Sequence, residues 1–134
     1  MITNASVTIY NRVPGTKSTY DTWNRTVLSP VHVYIDTKVS VGDDGLNTAD
    51  DYKIRIPGEI VNAEMYLPPA DYQKKSERSN FWTIQNDDYV VIGESTEDID
   101  KPADLKSGNL KCCKVVSWSD NRRGVTPHWR IGGV

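Results

Sequence analysis

The side chains best equipped for chemistry in this sequence are few and poorly spaced for it. Its two histidines, His32 and His128, stand far apart, and its two cysteines, Cys112 and Cys113, stand side by side. A zinc site needs three or four ligands, and no H-x-H or H-E-x-x-H spacing occurs to supply them. If Cys112 and Cys113 lie on a strand, they point to opposite faces and can neither grip one ion together nor readily bridge each other. Paired acids are plentiful: Asp43-Asp44, Asp50-Asp51, Asp87-Asp88, and Asp98 with Asp100. A glycosidase works with two such carboxylates, but these fall in turn-like and loop-like stretches, where Asp is expected for local hydrogen bonding. Asp43-Asp44-Gly45 does not fit a calcium loop. Neither a glycine-rich phosphate loop nor a G-x-S-x-G elbow is present. The residues therefore predict no catalytic, cofactor or metal centre, and the chain reads as a non-enzyme. Trp23, Trp82, Trp118 and Trp129 could form a sugar or base platform, but core or interface packing is the favoured reading. Trp118 and Trp129 flank the last turn and are predicted to meet across it.

The elements that carry these residues read as strands. Val7 and Ile9, then Val31, Val33 and Ile35, then Tyr52, Ile54 and Ile56, recur with period two. A separate extended stretch, Thr22 to Leu28, is predicted to stop at Ser29-Pro30. Phe81–Gln85 and Tyr89–Ile92 read as a hairpin about Asn86-Asp87-Asp88, and Leu110–Trp118 with His128–Ile131 as another. Helix is confined to Ala70–Arg78, with Pro69 in its first turn, and to one turn over Pro102–Leu105. The expected fold class is all-β: a small β-barrel or rolled sandwich with little helix. It forms a single domain over residues 1–134, with long loops at 37–51, 58–80 and 94–108. The expected core is Val7, Ile9, Val33, Ile35, Ile54, Ile56, Ile84, Val91, Val115 and Ile131.

With 134 residues, folding buries roughly two-thirds of the unfolded chain's surface. A net charge of −2 argues against a dedicated nucleic-acid binder, which usually carries a positive field. No signal peptide, membrane-length apolar run or C-x-x-C pair is apparent, and the chain reads as one made in a reducing cytosol, with no membrane partner.

Several stretches carry a resemblance. They are Ile2-Thr3-Asn4-Ala5 leading into Val7–Asn11, Arg25-Thr26-Val27, Ala49–Pro57, and the closing DNRRG…PHWRIGG, from Asp120 to Gly133. Together they resemble an uncharacterised family of phage and prophage proteins of Gram-positive hosts. The strand order is also similar to the head–tail joining proteins of long-tailed phages, the stopper or head-completion group. Those small barrels have a strand, a long flexible loop and a return strand with an apolar-basic-apolar pattern. Here Val31–Asp36, Thr37–Asp51 and Tyr52–Ile56 follow that order, and the insertion 58–80 departs from it. The resemblance implies no cofactor and no active site. It implies a virion protein, made in the bacterial host cytoplasm, that forms a ring between portal and tail. Its partners would be the portal or adaptor and tail proteins of the same phage. The isolated chain would be a monomer, and the ring would pass DNA without sequence-specific binding through an acidic lumen. The loop would be the channel or gating element, through Val39, Val41, Asp43, Asp44, Asp50 and Asp51, unless it is a solvated surface loop. Trp23, Tyr34, Arg122, Arg123 and Trp129 would anchor subunit interfaces. The alternatives are another neck, minor capsid or tail-completion protein, a small carbohydrate-binding β module, or an enzyme of unrecognised type.

Overall fold

In the computed structural model the described residues are 3–15, 19–42, 45–75, 77–78, 80–96, 99, 103–106 and 111–134; the side chains of 38–42, 45–49, 103 and 106 are not described. Six antiparallel strands close into a barrel: β1 (Ala5–Val13), β2 (Thr22–Gly42), β3 (Gly45–Pro57), β4 (Tyr89–Ile92), β5 (Cys112–Asp120) and β6 (His128–Gly133). Their order around the barrel is β1-β2-β3-β6-β5-β4. Helix among the described residues is limited to a 3-10 turn, Ala63–Met65, and two short helices, α1 (Pro69–Lys74) and α2 (Ala103–Lys106).

The barrel closes because two strands change partner midway. Residues Thr22–Val31 of β2 pair with β1, and His32–Gly42 pair with β3. This corrects the expected break at Ser29-Pro30: β2 runs 21 residues through a cis Ser29–Pro30 bond. Pro30 has no N–H to give a ladder, and it sits at the register shift between the pairs Val7↔Leu28 and Ala5↔Val31, where none is required. On β5 the shift between Val115 and Ser117 leaves Val116 bulged outward, and the strand passes from β4 to β6.

Inward-facing residues fill the barrel. Of the expected core, Val33 and Ile35 are half buried, and Val91 is buried outside the barrel wall in a second cluster, with its neighbour Val90 taking the interior position; the other seven are buried in the main core. Val33 and Ile35 lie just past Val31, where β1 ends, so the barrel wall no longer encloses them. The core also takes Trp82, Trp129 and Tyr66, whose rings pack mutually at 5.0–5.1 Å.

Three further expectations are corrected. Phe81–Gln85 is not a strand: its only pairing among the described residues is the bridge Tyr66↔Trp82, although Trp82 and Ile84 enter the core. Trp118 lies opposite Ile131 and Trp129 opposite Asp120, so the two tryptophans do not meet across the turn. The predicted loop 37–51 is largely a continuation of β2 and β3. The other two excursions have apolar tasks. In 58–80, Ile60, Tyr66 and Tyr72 are buried, and α1 begins with Pro69 as expected. In 94–108, Ile99 and Leu105 cover Tyr10 and Val91 on the outside of the barrel wall, with Cys112 packed alongside, while Cys113 faces the main core. The adjacent cysteines thus point to opposite faces.

Candidate assembly surfaces

The β2–β3 hairpin outgrows the barrel. β1 leaves β2 at Val31 and β6 leaves β3 at Tyr52, so Thr37–Gly42 and Gly45–Asp50 pair only with each other among the described strands, through Val39↔Thr48 and Val41↔Leu46. From Asp36↔Asp51 to Gly42↔Gly45 are six residue steps, which at about 3.4 Å each make a ribbon of about 20 Å. A two-stranded ribbon is marginal in water by itself, and its unpaired edges are templates for another strand. Val39 and Val41 therefore sit on paired backbone; Asp43 and Asp44 lie outside the described residues. Asp50 accepts the Thr37 hydroxyl at 2.7 Å, and Asp51 is cross-strand from Asp36.

At the closing hairpin, β5 and β6 are joined by a turn in which Asn121 N–H donates to His128 C=O at 2.8 Å. Asp120 holds Arg122 through two side-chain hydrogen bonds, at 2.8 and 2.7 Å. These bonds set the Asp120 carboxyl below its usual range. Held this way, the guanidinium lies 4.7 Å from the Trp129 ring centre and 5.0 Å from that of Tyr66. Burial, followed by the nearby Asp120 charge, pushes the Tyr66 phenol up to about 12. Arg122 is therefore a clasp that joins the 58–80 insertion to the hairpin. Trp129, expected at an interface, is fully buried beneath it. The sequence placed Trp129 at the surface because the aromatic pocket that receives it comes from residues 66 and 82, distant in the chain. Beside the clasp a groove of about 320 Å³ is lined by Pro57, Gly58, Glu59, Val125, Thr126 and Pro127.

The remaining interface candidates are scattered. Trp23 is half buried, edge-on to Tyr89 at 5.8 Å, and helps cover the outer cluster. Tyr34 is exposed, with the Lys53 ammonium 5.9 Å from its ring centre. Arg123 is exposed on the turn. The structure does not bring these residues into one patch. Nor do the tryptophans form an exposed platform: Trp82 and Trp129 are buried, and Trp23 and Trp118 are half buried.

The strongest polar cluster is one the sequence did not disclose. Asn11, fully buried on β1, donates to Thr83 C=O at 2.7 Å and to Asp88 Oδ2 at 2.9 Å, and accepts from Thr83 N–H at 3.1 Å. Asp88 also accepts from Gln85 Nε2 at 2.9 Å and from the Arg12 N–H at 3.1 Å. Burial raises its carboxyl pKa despite these donors. The cluster ties segment 83–88 to the barrel wall. Its only sequence signal was a turn-like Asn86-Asp87-Asp88, with Asp87 at a φ of 73°. Among the described residues, no group of three or more His, Cys, Asp or Glu side chains could hold a metal ion.

Residues 2–134 match the model of a family of unknown function, DUF6751, and the chain belongs to that family. No curated protein and no solved structure gives a significant match.

Proposed function

We propose, from the sequence resemblance and the architecture and not from the family membership, that this chain is a phage virion protein of the neck, a connector or stopper-like subunit that forms a ring between portal and tail. The observation that carries the reading is a closed barrel from which the β2–β3 ribbon projects about 20 Å, with no partner on either edge among the described residues. Strand, long excursion and apolar-basic-apolar return strand stand in the order of the head–tail joining plan. The return strand's Ile54 and Ile56 are buried and its Lys53 and Arg55 exposed. A closed barrel has no sheet edge to offer a neighbour. The ribbon does, and identical ribbons converging in a ring could pair edge to edge across the channel.

The non-enzymatic reading is supported by how the most deeply placed carboxylate among the described residues is used. Asp88 is 2% exposed and accepts three hydrogen bonds from the fold's own donors. A carbohydrate-binding module is disfavoured because two of the four tryptophans, Trp82 and Trp129, are buried and the other two, Trp23 and Trp118, are half buried. The test is assembly on the cognate portal. Mixing the two at micromolar concentration and weighing the product by native mass spectrometry should give a ring complex, with the isolated chain monomeric. Absence of association under those conditions counts against a neck role.

A further inference from the structure

Cations gather on the outer face of β2, β3, β6 and β5 in a pattern the fold does not use. Cross-strand register builds two adjacent rows on this face, His32–Arg55–Arg130–Ser119 and Tyr34–Lys53–Gly132–Ser117. Lys53 and Arg55 are two apart on β3 and share a face. Arg130 lies directly opposite Arg55. Strands are about 4.8 Å apart, and like charges so opposed repel. All three cations are exposed. Among the described residues their ion pairs are absent; the pairs that form there are Arg12–Asp21, Lys114–Asp87 and Arg122–Asp120. A groove of about 200 Å³ runs along the rows, with Lys53, Ser117, Arg130 and Gly132 among the residues that line it. A Cβ on Gly132 would stand 2.5 Å from Ser117 Oγ, so any other residue there would displace that hydroxyl. The next row on this face is acidic, Asp36 opposite Asp51, so the cations are bounded on that side; Asp51, Val116 and Val134 also line the groove.

We propose that this face binds the phosphate backbone of duplex DNA, without reading its sequence. Two guanidinium groups and one ammonium supply the charge, and the hydroxyls of Tyr34, Ser117 and Ser119 supply donors of the kind that position a phosphodiester. Gly132, which lines the groove, carries no side chain to hold a phosphate away from the backbone. The three cations lie on the sheet itself, at the barrel end of β3 and on β6, where they are placed to meet phosphates rather than base edges. A protein partner would want a central apolar anchor, whereas the centre of these rows is Arg55 opposite Arg130. The net charge of −2 explains why composition hid the site: the cations are concentrated on one face of an acidic chain. The inference does not depend on the neck reading, although in a ring the stripes would act together.

The test is fluorescence anisotropy of a labelled random-sequence duplex, titrated with the full chain from low to physiological salt. Three phosphate contacts give a log–log salt slope of about −3. The triple variant Lys53→Gln/Arg55→Gln/Arg130→Gln should weaken binding at least about tenfold and flatten the slope. Lys74→Gln, an exposed lysine on α1, should leave binding unchanged. Circular dichroism checks that each variant is folded. Poly-aspartate serves as the competing polyanion. No duplex binding at low salt, binding unaltered in the triple variant, or binding of poly-aspartate in preference to duplex would each overturn the proposal. The portal-assembly experiment is untouched by any of these outcomes.

Discussion

Replacing Asn11 by alanine should unpin segment 83–88 from the barrel and remove a large share of the protein's stability. The side chain is fully buried and makes three hydrogen bonds, to Thr83 C=O, to Asp88 Oδ2 and from Thr83 N–H. Alanine leaves both Thr83 backbone groups without their Asn11 partners in the interior. Asp88 retains Gln85 and the Arg12 N–H. An orphaned buried group costs about 1–3 kcal/mol, so two of them with a less well solvated carboxylate give about 3–5 kcal/mol. That compares with a total of about 5–15 kcal/mol for a domain. With a urea slope of about 1–3 kcal/mol/M, the midpoint should fall by roughly 2 M. Buried Trp82, next to Thr83, makes tryptophan fluorescence the natural readout.

The loss should also depend on pH. Burial raises the folded Asp88 pKa above 3.8, and the Asn11 bond lowers it. A folded carboxyl with a raised pKa holds its proton where the unfolded one has lost it. Its contribution to stability therefore falls as pH rises through that window. Without Asn11 the folded pKa rises further, so the penalty should be largest at neutral pH and shrink toward pH 4. A loss below about 1 kcal/mol at pH 7, or one that grows on acidification, refutes the reasoning.

Shortening the ribbon by replacing residues 38–49 with a tight Asn-Gly turn should leave the barrel folded, because the described core lies at or below Ile35 and Tyr52. If the ribbon is the gate, filled heads carrying this variant lose DNA; normal retention and infectivity exclude that role. Gly133→Ala should be more destabilising than Gly132→Ala, about 2–3 against about 1 kcal/mol by urea unfolding. A Cβ on Gly133 meets the Cys113 side chain and Lys114 C=O, whereas on Gly132 it meets only the movable Ser117 hydroxyl within 3.5 Å. Equal losses would contradict this packing. Burial pushes the Cys113 thiol up to about 12. Alkylation at pH 8 followed by peptide mass spectrometry should label Cys113 only after unfolding, and labelling of the native chain would contradict its position.

The sequence revealed what local alternation controls. Period-two patterning located the apolar faces of β1, β3, β5 and β6, and seven of the ten expected core residues are buried in the barrel interior; Val33 and Ile35 are half buried, and on β4 Val90 faces inward while Val91 is covered from outside. It failed where partner exchange decides. Pro30 reads as a stop, yet the strand continues because its missing donor falls at a change of partner. The stretch 37–51, read as a polar loop, takes strand backbone through cross-strand pairing, which composition does not report. The Arg122 clasp and the Asn11–Asp88 cluster depend on residues more than fifty positions apart. No local spacing announces them. The cation stripe escaped because Lys53, Arg55 and Arg130 are joined only by register.

The neck assignment is tested most directly by electron microscopy of phage particles assembled without this protein. The account predicts heads that fill and then leak DNA, with restoration by the intact chain. DNA-filled heads that remain stable, whether tailless or bearing tails of aberrant length, would contradict the stopper role.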